Sequence, residues 1–179
     1  MSHTTTLILG NAVALVGSIL MICIGFIRGK KKILAAQSVM FAIMALGNLI
    51  LGGFTGVLTN AISIFRNLWN FKLRYTWPVK VFFILIQAII ALRVNNLGLI
   101  GWLPVIAAGA FTWFLDVKSD LELKILIATT QIPWLIYDIY ILNISASIFD
   151  IMAIITNTIS IVTILREQKG TTHGNGIPK

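Results

Sequence analysis

Residues 48–67, NLILGGFTGVLTNAISIFRN, and residues 138–157, DIYILNISASIFDIMAIITN, lie 90 positions apart and carry polar residues in the same places. Asn48 falls on Asp138, Asn60 on Asp150 and Asn67 on Asn157, while Gly52-Gly53 falls on Leu142-Asn143 and Thr55 on Ser145. Each stretch reads as an apolar run, a compact breaker and a second apolar run, the punctuation of a helical hairpin. Few residues are identical, so the pattern carries the argument. Sliding the chain by the same 90 positions lays its second and third apolar blocks on the sixth and seventh without a gap.

The blocks are long enough to cross a bilayer. Of the 179 residues 58% are hydrophobic and 11% charged, against about 45–50% and about 25% in soluble globular chains. Spanning the hydrocarbon takes about 17–25 mostly apolar helical residues. Seven segments qualify: Thr6 to Ile27, Ile33 to Leu51, Phe54 to Phe71, Trp77 to Leu92, Leu97 to Leu115, Leu123 to Leu142 and Ala146 to Leu165, the fourth being the shortest. The N-terminal block has no basic residue before it and no small-residue cleavage site after it, so it reads as a span and not a signal peptide.

Seven spans put the termini on opposite faces, and the loops then sort by charge. Arg28, Lys30, Lys31, Lys32, Lys72, Arg74, Lys80, Lys118, Lys124, Arg166, Lys169 and Lys179 fall on one side, leaving Arg93 opposite and Arg66 inside a helix. Twelve of the 14 basic residues on one face predict an outside N terminus and a cytoplasmic C terminus. The net charge of +8 is therefore a topology signal with no nucleic-acid partner behind it.

The same counts exclude most chemistry. Cys23 is the single cysteine, and His3 and His173 sit in the polar tails. Neither a thiolate cluster, a His-based triad nor a zincin helix can be assembled, and no Gly-rich loop precedes a Lys in the Walker or Rossmann manner. The expectation is a protein that is not an enzyme, with no cofactor and no metal. Its partners are the lipid bilayer and a small-molecule substrate; a homo-oligomer stays open, because lipid-facing and partner-facing surfaces share a composition.

An ionisable or strongly polar group at membrane depth faces the bundle interior by default. Asn60, Ser63 and Asn67 share one face of the third span, and Asp150, Asn157 and Ser160 draw the same line on the seventh. These stripes read as a pore lining, or as interhelical hydrogen bonds holding the helices together. Gln131, Trp134 and Asp138 share a face of the sixth span, where Trp134 serves either as a stacking wall for a ring-shaped solute or as packing. Asp138 and Asp150 lie four residues from the outer ends of their helices. One reading has them hydrated there or fixing the Asn143 turn; the other has them lining a vestibule, with one protonated because close carboxylates resist joint ionisation. Arg66 is close enough to the inner end for its stem to snorkel to the headgroups, or it makes a structural interhelical contact; an anionic solute is the remaining option. Pro104 and Pro133 interrupt the fifth and sixth spans as candidate hinges. Gly10, Ala14 and Ser18 form a small-residue stripe for close packing of the first span.

The plan is an all-α polytopic membrane protein of seven transmembrane helices, in which two parallel three-helix repeats are joined by a linking helix. The divisions are 1–71 for the first bundle, 72–96 for the linker helix, 97–165 for the second bundle and 166–179 for a cytoplasmic tail, read as disordered from Thr171. In a parallel-repeat protein the ligand site lies between the halves.

This plan resembles the superfamily of SWEET sugar facilitators, PQ-loop proteins and PnuC-type vitamin transporters. More closely, GGFTGVLTNAISIFRNLWNFK at 52–72, Trp102-Leu103-Pro104-Val105 running to Thr112-Trp113, and Pro133-Trp134 through Asp138 to Asp150 and Asn157 look like the YgjV-type bacterial inner-membrane family. The resemblance implies alternating-access transport of a small polar solute such as a nucleoside, vitamin or sugar. It also implies that paired Asn residues of the third and seventh helices contact the solute, here Asn157 with Asn67 or Asn60, and that the helix prolines bend. A non-transporting subunit, sensor or assembly protein is the rival reading. Asp150 is the candidate for coupling a proton, with facilitated diffusion as the alternative.

Overall fold

Apolar runs broken by Gly, Asn and basic clusters become helices joined by short turns. The computed structural model describes residues 3–174, and among them there is no strand. The helices are α1 (His3–Phe26), α2 (Lys30–Ile50), α3 (Phe54–Lys72), α4 (Trp77–Val94), α5 (Leu103–Phe114), α6 (Asp120–Tyr140) and α7 (Ile144–Gly174). Four of them, α1, α2, α4 and α7, are long and apolar enough to cross a membrane. The polar stripe lowers α3, the acidic start and Asp138 lower α6, and α5 is short.

Two expectations change. The fifth span breaks into a 3₁₀ turn at Ile100–Trp102 and the 12-residue α5, because Pro104 falls in the first turn. There its missing N–H costs nothing, so Pro104 starts a helix instead of interrupting one. The tail is not irregular from Thr171: α7 runs on to Gly174, since extending an existing helix needs no new nucleus. Residues 175–179 of that tail lie outside the described residues.

The turns quoted at the outset are built alike. Gly53 N–H donates to Asn48 O at 2.8 Å and Gly52 N–H to Leu49 O at 3.3 Å; Asn143 N–H donates to Asp138 O at 2.9 Å and Leu142 N–H to Ile139 O at 3.2 Å. Both are Schellman closures with a left-handed residue after the helix: Gly52 at φ 77 and Leu142 at φ 58. The helix boundaries keep the same 90-residue offset, 30–50 against 120–140 and starts at 54 and 144.

Each helix packs on its neighbour in sequence, and α7 returns to pack on α1 while α3 also touches α5, leaving α4 outside that seam. The result is a ring with α4 on its rim. Its interior combines an apolar cluster with many buried polar side chains, and its outside is apolar. On α3, Phe65 is 66% exposed while Arg66 beside it is 1% exposed, with Thr59, Asn60, Ser63 and Asn67 equally buried. Small residues set the α1–α2 distance: a Cβ on Gly47 would meet Ala14 Cβ at 3.3 Å, and Ala14 and Ser18 are fully buried.

One end of the ring gathers the charged loops. Arg28 pairs with Glu167 at 2.9 Å, Gly29 N–H donates to Asp120 at 2.9 Å, and Lys80 pairs with Asp116 at 2.8 Å. Lys124, fully buried, donates to Ile24 O at 2.7 Å and Gly25 O at 2.8 Å, placing a cation on the C-terminal carbonyls of α1. A Ser119–Glu122 capping box opens α6, and the Lys118 and Ser119 backbone N–H groups hold the Glu122 carboxyl below its usual range. The opposite end is closed by neutral amides: Asn96 donates to Gly52 O at 3.1 Å, and Asn11 donates to Leu142 O at 3.1 Å while accepting from Ser145 N–H at 2.9 Å.

Candidate functional site

Two small adjoining cavities lie in the ring interior, of about 40 and 30 Å³. They share Met21, Met40, Phe41, Gln131 and Trp134 as a common wall. The first continues toward Gln37, Ser63, Arg66 and Phe111; the second toward Asn60, Asp138 and Asp150. Since Asn60 and Arg66 stand six residues apart on α3, the chambers are offset by about 9 Å along that helix at ~1.5 Å per residue.

The second chamber holds the two acids, and neither is hydrated at a surface: both are 1% exposed. Gln131 Nε2 donates to Asp150 Oδ1 at 2.6 Å. Asn143 Nδ2 donates to Asp138 Oδ1 at 3.2 Å, and Asn143 Oδ1 accepts from Ala146 N–H at 3.3 Å, capping α7. Both acids line this same chamber. So Asp138 fixes the Asn143 turn while facing the cavity, and Asp150 is tied to the cavity wall. Asn60 Nδ2 and Asp150 Oδ2 are buried with no hydrogen-bond partner. Next to them Tyr137, edge-on to Trp134 at 5.9 Å, accepts from Gly56 N–H at 3.1 Å and so caps α3 from across the ring.

The first chamber is organised by Arg66, which does not snorkel. Its Nε and Nη2 both donate to Asn67 Oδ1, at 3.3 and 3.1 Å, and Nη1 donates to Thr112 Oγ1 at 3.2 Å and Ala108 O at 3.5 Å. The guanidinium carbon lies 4.6 Å from the Phe111 ring centroid. Among the described residues no acidic side chain pairs with it. The helix geometry explains this: position 66 falls on the polar face of α3, and the stem turns sideways to α5, not down to the headgroups. Tyr75, pushed up to about 12 by burial, donates to Thr112 O at 2.9 Å beneath this group.

The expected site residues therefore divide. Asn60, Gln131, Trp134, Asp138 and Asp150 come together on the cavity walls. Asn67 and Asn157 are buried but do not line them: Asn67 Nδ2 donates to Leu34 O at 3.3 Å while its oxygen serves Arg66, and Asn157 Nδ2 donates to Ala153 O of its own helix at 2.8 Å. Pro133 is internal to α6, one residue from Trp134. Gln37, with its Oε1 buried and unpartnered, was not singled out from the sequence; its only signal there is a lone amide in an apolar run. Among the described residues no three His, Cys, Asp or Glu side chains gather into a metal site.

A family model described as a bacterial inner membrane protein, Imp-YgjV, matches residues 8–168. The chain belongs to the Imp-YgjV family. With that family and four helices apolar enough to span, it is a multi-pass membrane protein. No curated protein and no solved structure matches it.

Proposed function

We propose that this Imp-YgjV protein is a carrier for a small polar solute, working by alternating access to the paired cavities. The observation that carries the reading is a ring of helices whose apolar side faces out and whose interior holds buried, unpartnered polar atoms on a cavity: Gln37 Oε1, Asn60 Nδ2 and Asp150 Oδ2. A buried polar group left without a partner costs about 1–3 kcal/mol. A ligand's hydrogen bonds would recover that cost. Gln131 and Trp134, common to both chambers, are the residues for orienting and stacking the solute.

The reading includes seven spans, an outside N terminus, and two parallel repeats related to the SWEET, PQ-loop and PnuC plan. The matched Schellman turns and 90-residue offset of the helix boundaries support the repeat; the gathering of basic loops at one end supports the orientation. Pro133 beside the cavity is the hinge in this scheme, with bending concentrated in the C-terminal half.

The test is uptake by liposomes containing the purified protein, screened with nucleosides, water-soluble vitamins, sugars and small organic acids. Saturable uptake of one class, abolished by Trp134→Ala in a variant that still folds, is expected. Uptake no greater than in protein-free liposomes for every class would sink the carrier reading and favour a structural subunit.

A further inference from the structure

Arg66 is buried in the ring interior, and among the described residues no acidic side chain pairs with it. A buried guanidinium kept for packing is normally matched by a carboxylate, because its desolvation is otherwise uncompensated. Here the matching place is taken by Asn67, whose single amide oxygen receives the Nε and Nη2 donors at 3.3 and 3.1 Å. The amide has the shape of an aspartate without its charge, so the fork is oriented and the positive charge is left over. Thr112 Oγ1, Ala108 O and the Phe111 face are likewise neutral. Asp138 and Asp150 line the other chamber.

The cation also borders a cavity: Arg66 lines the one of about 40 Å³ with Ser63, Gln37, Thr130 and Gln131, a space that widens to admit a solute as the carrier opens. Resting on the carrier reading, we infer that the solute is an anion, with a carboxylate or phosphate group held against Arg66 and the rest of the molecule against Met21, Met40, Phe41 and Trp134. The group neutralises the guanidinium and takes hydrogen bonds from the Ser63 hydroxyl and the Gln37 amide. A neutral sugar or nucleoside would leave that charge uncompensated, and a cation would be repelled from this chamber. The ligand's mass between the anion and the acid chamber is apolar or aromatic, matching the wall.

The experiment uses the full-length protein in detergent, titrated with benzoate, with its neutral counterpart benzamide, and with inorganic phosphate, following thermal stability and tryptophan fluorescence. Two variants accompany it. Asn67→Asp supplies the missing carboxylate in the same shape, so it folds with Arg66 already neutralised; Arg66→Gln removes the charge. A saturable response to benzoate or phosphate but not benzamide is expected, with roughly tenfold or greater loss of apparent affinity in both variants. A phosphate response without benzoate marks a phosphorylated solute, and the reverse marks an organic acid. An equal response to benzamide, or anion binding undiminished in Asn67→Asp, overturns the inference. Liposome uptake of a neutral class with no response to any anion also overturns it and leaves the carrier reading standing. Silence in both assays removes the two together.

Discussion

The ring closes across two seams that a 90-residue offset would exchange, α1 against α7 and α5 against α3, and they are built from opposite materials. At the α1–α7 seam Gly25 lies against Thr156, so near that a Cβ on the glycine would collide with Thr156 Oγ1 and meet its Cβ at 2.7 Å. The seam is pinned above by Asn11 on the α6–α7 turn and below by Arg28 on Glu167. At the α3–α5 seam the residue in the place of Thr156 is Arg66, and α5 meets a guanidinium through Ala108, Phe111 and Thr112. One seam sets a glycine backbone directly against a threonine side chain; the other holds a long polar side chain beside a cavity. For a moving carrier this makes α1–α7 the fixed joint and α3–α5 the place where contacts can be exchanged.

The largest effect tests the fixed joint. Gly25→Val puts a branched side chain into a contact that has no room for a methyl, and overpacking of this kind costs about 1–3 kcal/mol. The expected result is a clear fall in Tm of the detergent-purified protein. An unchanged Tm would mean the α1–α7 seam is not the tight one, and the contrast with α3–α5 would lose its meaning.

What could be read from the sequence follows the same divide. The hairpins were legible because a breaker and its flanking polar residues are local signals: Gly52-Gly53 and Asn143 set the turns, and the offset of 90 placed one on the other. Asn60, Gln131, Trp134, Asp138 and Asp150 were found because polar residues in apolar helices are conspicuous. Which of them faces a cavity was not legible. Asn67 and Asn157 share helix faces with the cavity residues, yet they do not line the cavities: the Asn67 amide is spent on Arg66 and Leu34 O and the Asn157 Nδ2 on Ala153 O, and a hydrogen-bond partner from another helix leaves no trace in spacing. For Arg66 the choice between snorkelling and an interhelical contact was not legible for a related reason, since depth along a helix says how far a stem reaches and not which way it turns; its bonds to Thr112 and Ala108 are the interhelical contact. Pro104 was misread because a proline's effect depends on whether it stands first or mid-helix.

The two turns offer a finer comparison within the hairpins. Gly52 adopts its φ of 77 freely, whereas Leu142 at φ 58 holds a left-handed backbone that costs a side-chain-bearing residue roughly 1–2 kcal/mol. Leu142 is also half-exposed, so little packing offsets that cost. Leu142→Gly is expected to raise stability by about 1 kcal/mol, and Gly52→Ala to lower it by about as much. Thermal or denaturant unfolding of the two variants side by side checks both signs. If Leu142→Gly destabilises, the leucine's contacts outweigh its backbone strain and the turns are alike in geometry only.

The smallest effect concerns the charged end of the α4–α5 pair, where Lys80 reaches both Trp113 O at 2.7 Å and Asp116 at 2.8 Å. The hydrogen bond from Lys80 holds the Asp116 carboxyl below the usual carboxylate range. A carboxyl whose folded pKa is depressed adds stability above its unfolded value, about 3.9, and loses it as pH falls through the lower folded value. The Asp116 side chain is 59% exposed, so solvent screening holds the contribution to roughly 0.2–1 kcal/mol. Asp116→Asn should therefore lower Tm slightly at pH 7, and the difference from the unmodified protein should shrink on acidification toward pH 3. The α1–α7 seam has its own exposed pair, Arg28 with Glu167, so the profile of Glu167→Gln is the matching control. A difference for Asp116→Asn that persists unchanged to pH 3 would mean that Asp116 acts through packing, and Lys80 would then be anchored by the Trp113 carbonyl alone.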